Sequence, residues 1–137
     1  MKNVHAILMT AILALGAVSC KDNNDYETIK EIARISIDSV KIQKDTMDIY
    51  SVQEILTYSD YTRGCEAFYG HQYEKDDFDR YVTTYKFKTD GTCTTEGAFA
   101  SKINFEPQNT GKYTFKFWQG KDSQEQDIWL EKTVVVE

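Results

Sequence analysis

An all-β sandwich of about seven short antiparallel strands is the fold class the sequence predicts, on three observations. From Arg80 to Thr89, Tyr81, Thr83, Tyr85 and Phe87 fall on one face and Val82, Thr84, Lys86 and Lys88 on the other, the period-2 alternation of a strand. The same period returns where Tyr113, Phe115 and Phe117 alternate with Lys112, Thr114 and Lys116. Turn residues punctuate the chain at fairly even spacing, as expected of an all-β domain. A small closed barrel is the alternative architecture.

The chain begins with features of an export signal. A basic start (Met1-Lys2-Asn3) precedes an apolar run from Ala6 to Leu15 and the small residues Gly16, Ala17, Val18 and Ser19. That run is too short to span a bilayer as a mature helix. Cleavage after residue 19 removes only Lys2 from the charged set, so the net charge moves from −6 to −7. The remaining length suits one sandwich core. An acidic chain without a Lys/Arg cluster argues against nucleic acid or a bare anionic membrane as partner.

Ala17-Val18-Ser19-Cys20 resembles a bacterial lipobox, with Ala17 where Leu is usual. The resemblance implies that Cys20 is lipidated and becomes the new N-terminus; Ala17-x-Ser19 also suits ordinary signal peptidase. Residues 20–33 then read as a polar tether and 34–137 as the domain. With Cys20 acylated, Cys65 and Cys93 remain as an even pair in an oxidising compartment, predicting a disulfide.

Within the domain, Ile35 and Ile37 alternate, as do Val40 and Ile42, but the face changes between the two pairs. This predicts a first strand with a kink or bulge. Lys44-Asp45 reads as a turn, Thr46 to Tyr50 as a short β segment and Val52 to Tyr58 as a strand. Ser59 to Asp79 reads as irregular, an aromatic-rich segment pinned by Cys65 and covering one sheet face. Asp90-Gly91 predicts a type I′ hairpin after the Arg80–Thr89 strand. The return strand would start at Thr92, be interrupted at Gly97-Ala98 and resume from Ser101 to Phe105. In the last hairpin, Trp118 is expected opposite Trp129, Phe117 opposite Leu130 and Tyr113 opposite Val134. Lys132 then falls opposite Phe115 and must reach water along its stem.

The order Asn109-x-Gly111-x-Tyr113-x-Phe115 resembles the tyrosine corner of immunoglobulin-like sandwiches, with Phe115 where antibody domains carry a cysteine. Together with the lipobox, the chain resembles a small bacterial surface lipoprotein with an immunoglobulin-like (PKD/Ig-type) domain. That resemblance implies an outer-membrane location, lipid-anchored on the periplasmic or surface-exposed side.

Little in the chain points to catalysis. There are two histidines, and His5 leaves with the signal. His71, near Glu66, Glu74 and Asp76 in sequence, is the lone acid–base or metal candidate, and a surface histidine in a polar loop is the favoured reading. Asp76-Asp77-Phe78-Asp79 lacks the alternating spacing of a calcium loop. No cofactor motif is present. All eighteen Phe, Tyr and Trp residues lie beyond residue 19, and Trp118, Trp129, Tyr61, Tyr69 and Tyr73 are the candidate ligand-binding residues. The expected function is a non-catalytic, membrane-anchored domain that binds a macromolecular partner at the cell envelope. The alternative is a glycan-binding module of a polysaccharide-uptake system.

Overall fold

A computed structural model describes residues 27–137 of the chain. The signal, the lipobox with Cys20 and residues 21–26 of the tether lie outside the described residues. Nine strands, and no helix among the described residues, follow in order. They are β1 (Ile29–Ile35), β2 (Ser39–Ile42), β3 (Thr46–Met47), β4 (Gln53–Thr62), β5 (Glu66–Asp76), β6 (Asp79–Thr89), β7 (Glu96–Phe105), β8 (Gly111–Lys121) and β9 (Asp127–Val136).

Two sheets form a sandwich-like pair of layers, not a closed barrel. The small sheet is β2-β4-β7. In the large sheet, β5 pairs antiparallel with one edge of β6. The other edge of β6 is shared: β8 runs parallel to Asp79–Val82, and β1 runs antiparallel along Thr84–Thr89. The β8–β9 hairpin follows, and β3 closes the sheet parallel to β9.

The core lies between the layers. Ile37, Ile55, Val82, Phe115, Phe117 and Val134 are fully buried. Phe105 packs edge-on against both Tyr113 and Phe115, with centroids 5.1 and 4.9 Å apart. These are the alternating apolar positions of β8 and their neighbours, whose burial supplies the main driving force for the fold.

The last hairpin keeps the expected register. Tyr113 pairs with Val134, Phe115 with Lys132, Phe117 with Leu130 and Trp118 with Trp129. Lys132 stays exposed beside the β2 edge, near Val40 and Asp45. The corner is also formed: the Tyr113 hydroxyl donates to the Asn109 carbonyl at 2.9 Å. Gly111 opens β8 at φ +146, and a Cβ there would lie 2.6 Å from the Phe78 ring. Only glycine meets both demands.

Four expectations are corrected. The kink between Ile37 and Val40 is a change of sheet rather than a bulge. The Ile37 amide bonds to the Trp118 carbonyl of the large sheet, and the next amide, of Asp38, bonds to Tyr58 of the small one. Regular structure also begins earlier than residue 34, since β1 starts at Ile29 and recruits the end of the tether into the sheet. Ser59–Asp79 is not irregular: β4 continues to Thr62 and β5 forms a strand with a bulge between Phe68 and Gly70. Its many aromatics obscure the alternation because the bulge at Tyr69 shifts the phase. Finally, Asp90-Gly91 makes no hairpin. After Thr89 the chain crosses to the small sheet, and β7, uninterrupted at Gly97-Ala98, pairs with β4.

The bridge between Cys65 and Cys93 is present, with Cα atoms 4.8 Å apart. It joins two of the crossovers between sheets, β4 to β5 and β6 to β7. Backbone bonds from Arg63 to Thr95 and from Thr94 to Arg63 reinforce the same end.

Candidate functional site

Both sheets end on the same flank in strands with one free edge. β5 pairs only with β6, and β7 only with β4. Between them the layers part, and the interior reaches solvent through an open seam. Two hollows lie along it, of about 540 and 440 Å³.

His71 stands between them. On β5 it pairs with Thr84, so its side chain faces inward with that of Val82's partner Tyr73. The β4–β7 register places Thr57 opposite Ser101 on the inner face of the small sheet. The result is a compact polar triangle. Thr57 Oγ1 and Ser101 Oγ each lie 3.2 Å from His71 Nε2 and 2.9 Å from one another. Burial pushes the His71 imidazole below its ordinary pKa, favouring the neutral ring. The Phe68 ring packs beside it at 4.8 Å.

The acids expected near His71 face elsewhere. Glu66 pairs with Lys86 at 2.7 Å, and Glu74 accepts from Gln72. Burial pushes the Glu66 carboxyl up, but Lys86 and Thr62 outweigh it and hold the pKa down. A histidine beside two hydroxyls has the base–nucleophile part of a hydrolytic dyad. Among the described residues it lacks a carboxylate to orient the second ring nitrogen, the third partner of a triad.

The smaller hollow is lined by Tyr61, Arg63, Phe68, Phe99 and Ser101. Phe68 and Phe99 are 41% and 38% exposed, and the neighbouring Tyr69 is 56% exposed. The Arg63 guanidinium stacks 4.9 Å above the Phe99 ring, and Tyr61 meets the same ring edge-on. Inward of these, Ser59 Oγ, Tyr61 Oη and Thr84 Oγ1 are buried without a hydrogen-bond partner among the described residues. Burial pushes the Tyr61 phenol above its ordinary pKa.

The larger hollow is lined by His71, Tyr73, Lys75, Arg80, Lys102 and Tyr113, with Glu106 at its rim. Arg80 is 9% exposed, and its Nη1 donates to the carbonyls of Asp77 and Asp79 at 2.6 and 2.8 Å. Its guanidinium lies 4.8 Å over the Tyr113 ring. Burial pushes the Tyr73 phenol up, and the adjacent Arg80 cation pulls it back.

Of the five aromatic candidates, Tyr61 and Tyr73 line this flank and Tyr69 is exposed on the bulge beside it. Trp118 and Trp129 lie on the outer face of the large sheet. Trp118 is only 8% exposed: Arg34 of β1 stacks over it at 4.6 Å, and its indole N–H donates to Asp127. Trp129 packs edge-on against Tyr81. The cover over these rings is thus β1 and β6, not the Ser59–Asp79 segment. Tyr81, Tyr85 and Phe87 share this outer face, while Val82 and Thr84 carry the core side of β6. Asp76 and Asp79 pair across the β5–β6 turn, where Asp77 takes φ +51 and Asp79 holds Lys116 at 2.8 Å.

Sequence reasoning missed Arg80, Phe68, Phe99 and Ser101 as lining residues. Only the pairing of β4 with β7, across more than thirty intervening residues, brings Ser101 to His71. Comparison of the chain with protein-family models, curated proteins and solved structures returns no match.

Proposed function

We propose that the domain is a non-catalytic binding module of the bacterial cell envelope, tethered through lipid on Cys20, which takes a macromolecular partner at the β5–β7 flank. One observation carries the reading: two free strand edges border an open seam with Phe68, Tyr69 and Phe99 exposed along it. Unpaired edges offer main-chain hydrogen bonds, and natural proteins ordinarily cover or charge them. Exposed rings beside such edges supply the apolar contact that a partner buries.

The immunoglobulin-type assignment belongs to the same proposal. The Tyr113–Asn109 hydrogen bond supports it. The parallel β6–β8 pairing departs from the all-antiparallel sheets of antibody domains. A glycan-binding reading keeps Tyr61, Tyr69 and Tyr73 near the flank but loses the tryptophan pair to the opposite face.

The test is site-specific photo-crosslinking in the native host. A photoreactive phenylalanine analogue at Phe68 or Phe99 is expected to give a discrete adduct, and the same analogue at Trp129 none. Adducts at Trp129 alone, or at neither place, would sink the flank as the binding surface. Hydrolysis of p-nitrophenyl acetate should be the same for the native chain and Ser101→Ala. A rate that disappears with Ser101→Ala would make the domain an esterase-like enzyme instead.

A further inference from the structure

We infer that the β5–β7 flank takes an extended acidic peptide segment, with a carboxylate of the peptide seated against Arg80. The inference rests on the binding-module reading and names the chemistry of the partner.

Arg80 is the starting point. It is nine-tenths buried, yet no carboxylate lies within ion-pair distance of it among the described residues. Lys75, on the same wall of the hollow, has none either. Lys102 also lines the hollow from β7, but its ammonium is held by Glu54 at 2.9 Å on the outer side of the small sheet. In a chain of net charge −6, this hollow holds two cations without an ion-pair partner among the described residues, Arg80 and Lys75, beside one lining acid, Glu106. A buried guanidinium without a counter-charge is unfavourable, and a carboxylate is the anion its planar fork suits best. The backbone carbonyls of Asp77 and Asp79 orient the guanidinium but bring no full negative charge.

The shape of the flank selects a peptide over a sugar acid. Sugars stack on open aromatic faces, and three of the rings here already have a partner, leaving Tyr69 as the open one. Arg80 covers Tyr113, Arg63 covers Phe99, and Phe68 lies against His71. An extended chain instead finds a free strand edge, as in binding by strand addition. The apolar hollow at Phe99 and the cationic one at Ile103 lie four residues apart on the inward face of β7, roughly 13 Å at the rise of a strand. A strand added along this edge can therefore place an apolar side chain in one hollow and a carboxylate in the other.

The experiment uses fluorescence anisotropy on the full chain in detergent, with a labelled peptide carrying Val and Glu four positions apart among threonines as the Val/Glu probe. The same peptide with Lys in place of Glu (Val/Lys) and an oligogalacturonate serve as the other arms. Val/Glu binding is expected, weakening as salt rises and about tenfold weaker for Lys75→Gln/Lys102→Gln. That double variant removes exposed side chains and leaves the core intact, so it stays informative even if Arg80→Gln fails to fold. Absence of Val/Glu binding, equal binding of Val/Lys, or indifference to the double variant would overturn the proposal. Tighter binding of the oligogalacturonate would overturn it in favour of an acidic glycan. If crosslinks at Phe68 and Phe99 persist while the peptide fails, the binding module stands and its acidic-peptide partner falls.

Discussion

At Tyr113 one hydroxyl fixes how the chain enters β8. Its bond to the Asn109 carbonyl spans a corner that the sequence announces by Asn109, Gly111 and Tyr113 together. Tyr113→Phe should cost about 1 kcal/mol in chemical denaturation, the usual net value of such a bond. Thr84 illustrates the opposite case, a hydroxyl buried at 0% exposure with no partner among the described residues. Thr84→Val is therefore expected to raise stability by roughly 1 kcal/mol, read from the denaturation midpoint. A loss of stability would reveal an unseen hydrogen bond. His71 carries the pH dependence. Burial depresses its folded-state pKa, so its neutral form contributes stability above the unfolded value. That contribution is lost as pH falls below about 6.5. The melting temperature of the native chain should drop more between pH 7 and 5 than that of His71→Gln, and parallel curves would contradict the assignment. His71 was visible in the sequence as the sole histidine of the domain. Its partners Thr57 and Ser101 were not, because hydroxyl residues are common in strands and only the fold brings these two together.

Among the elements, β8 and β9 were legible as a hairpin, with the observed register, in which Lys116 faces Glu131, standing against a two-residue slip that the sequence alone leaves open. β6 was legible as a strand, but its orientation was not. Tyr81, Tyr85 and Phe87 are the larger apolar set, yet they lie outward beneath or beside Arg34, Trp129 and β1, while Val82 and Thr84 line the core. Period 2 identifies two faces without saying which is covered. The Asp90-Gly91 signal misled for a related reason: local turn chemistry is blind to a distant strand that offers the better edge. Gly111 is the element-scale hinge of β8. Gly111→Ala combines a backbone angle hostile to side chains with a clash against Phe78. It should lower stability by about 1–3 kcal/mol, measured by thermal unfolding, and a neutral effect would mean that the corner relaxes freely.

Taken as a whole, the sandwich is built in two unlike halves. One is sealed by Phe105, Tyr113, Phe115 and Phe117; the other holds hydroxyls, an imidazole and the flank, and is tied by Cys65–Cys93. Closing that loop contributes about 3.6 kcal/mol on the chain-entropy account. Cys65→Ser/Cys93→Ser should lose a comparable amount in urea. Hydrogen exchange should quicken first in β5 and β7 and last in β8, and a uniform change would refute the division. The pairing of Cys65 with Cys93 follows from counting once Cys20 is set aside; its position at the β4–β5 and β6–β7 crossovers does not.

The bridge also bears on timing under the proposed binding reading. It is the covalent clamp between the lips that carry Phe68 and Phe99, whereas the aromatic floor is held by packing alone. On that reading, oxidation is the licensing step, and a chain kept among reducing thiols is expected to bind its partner more weakly.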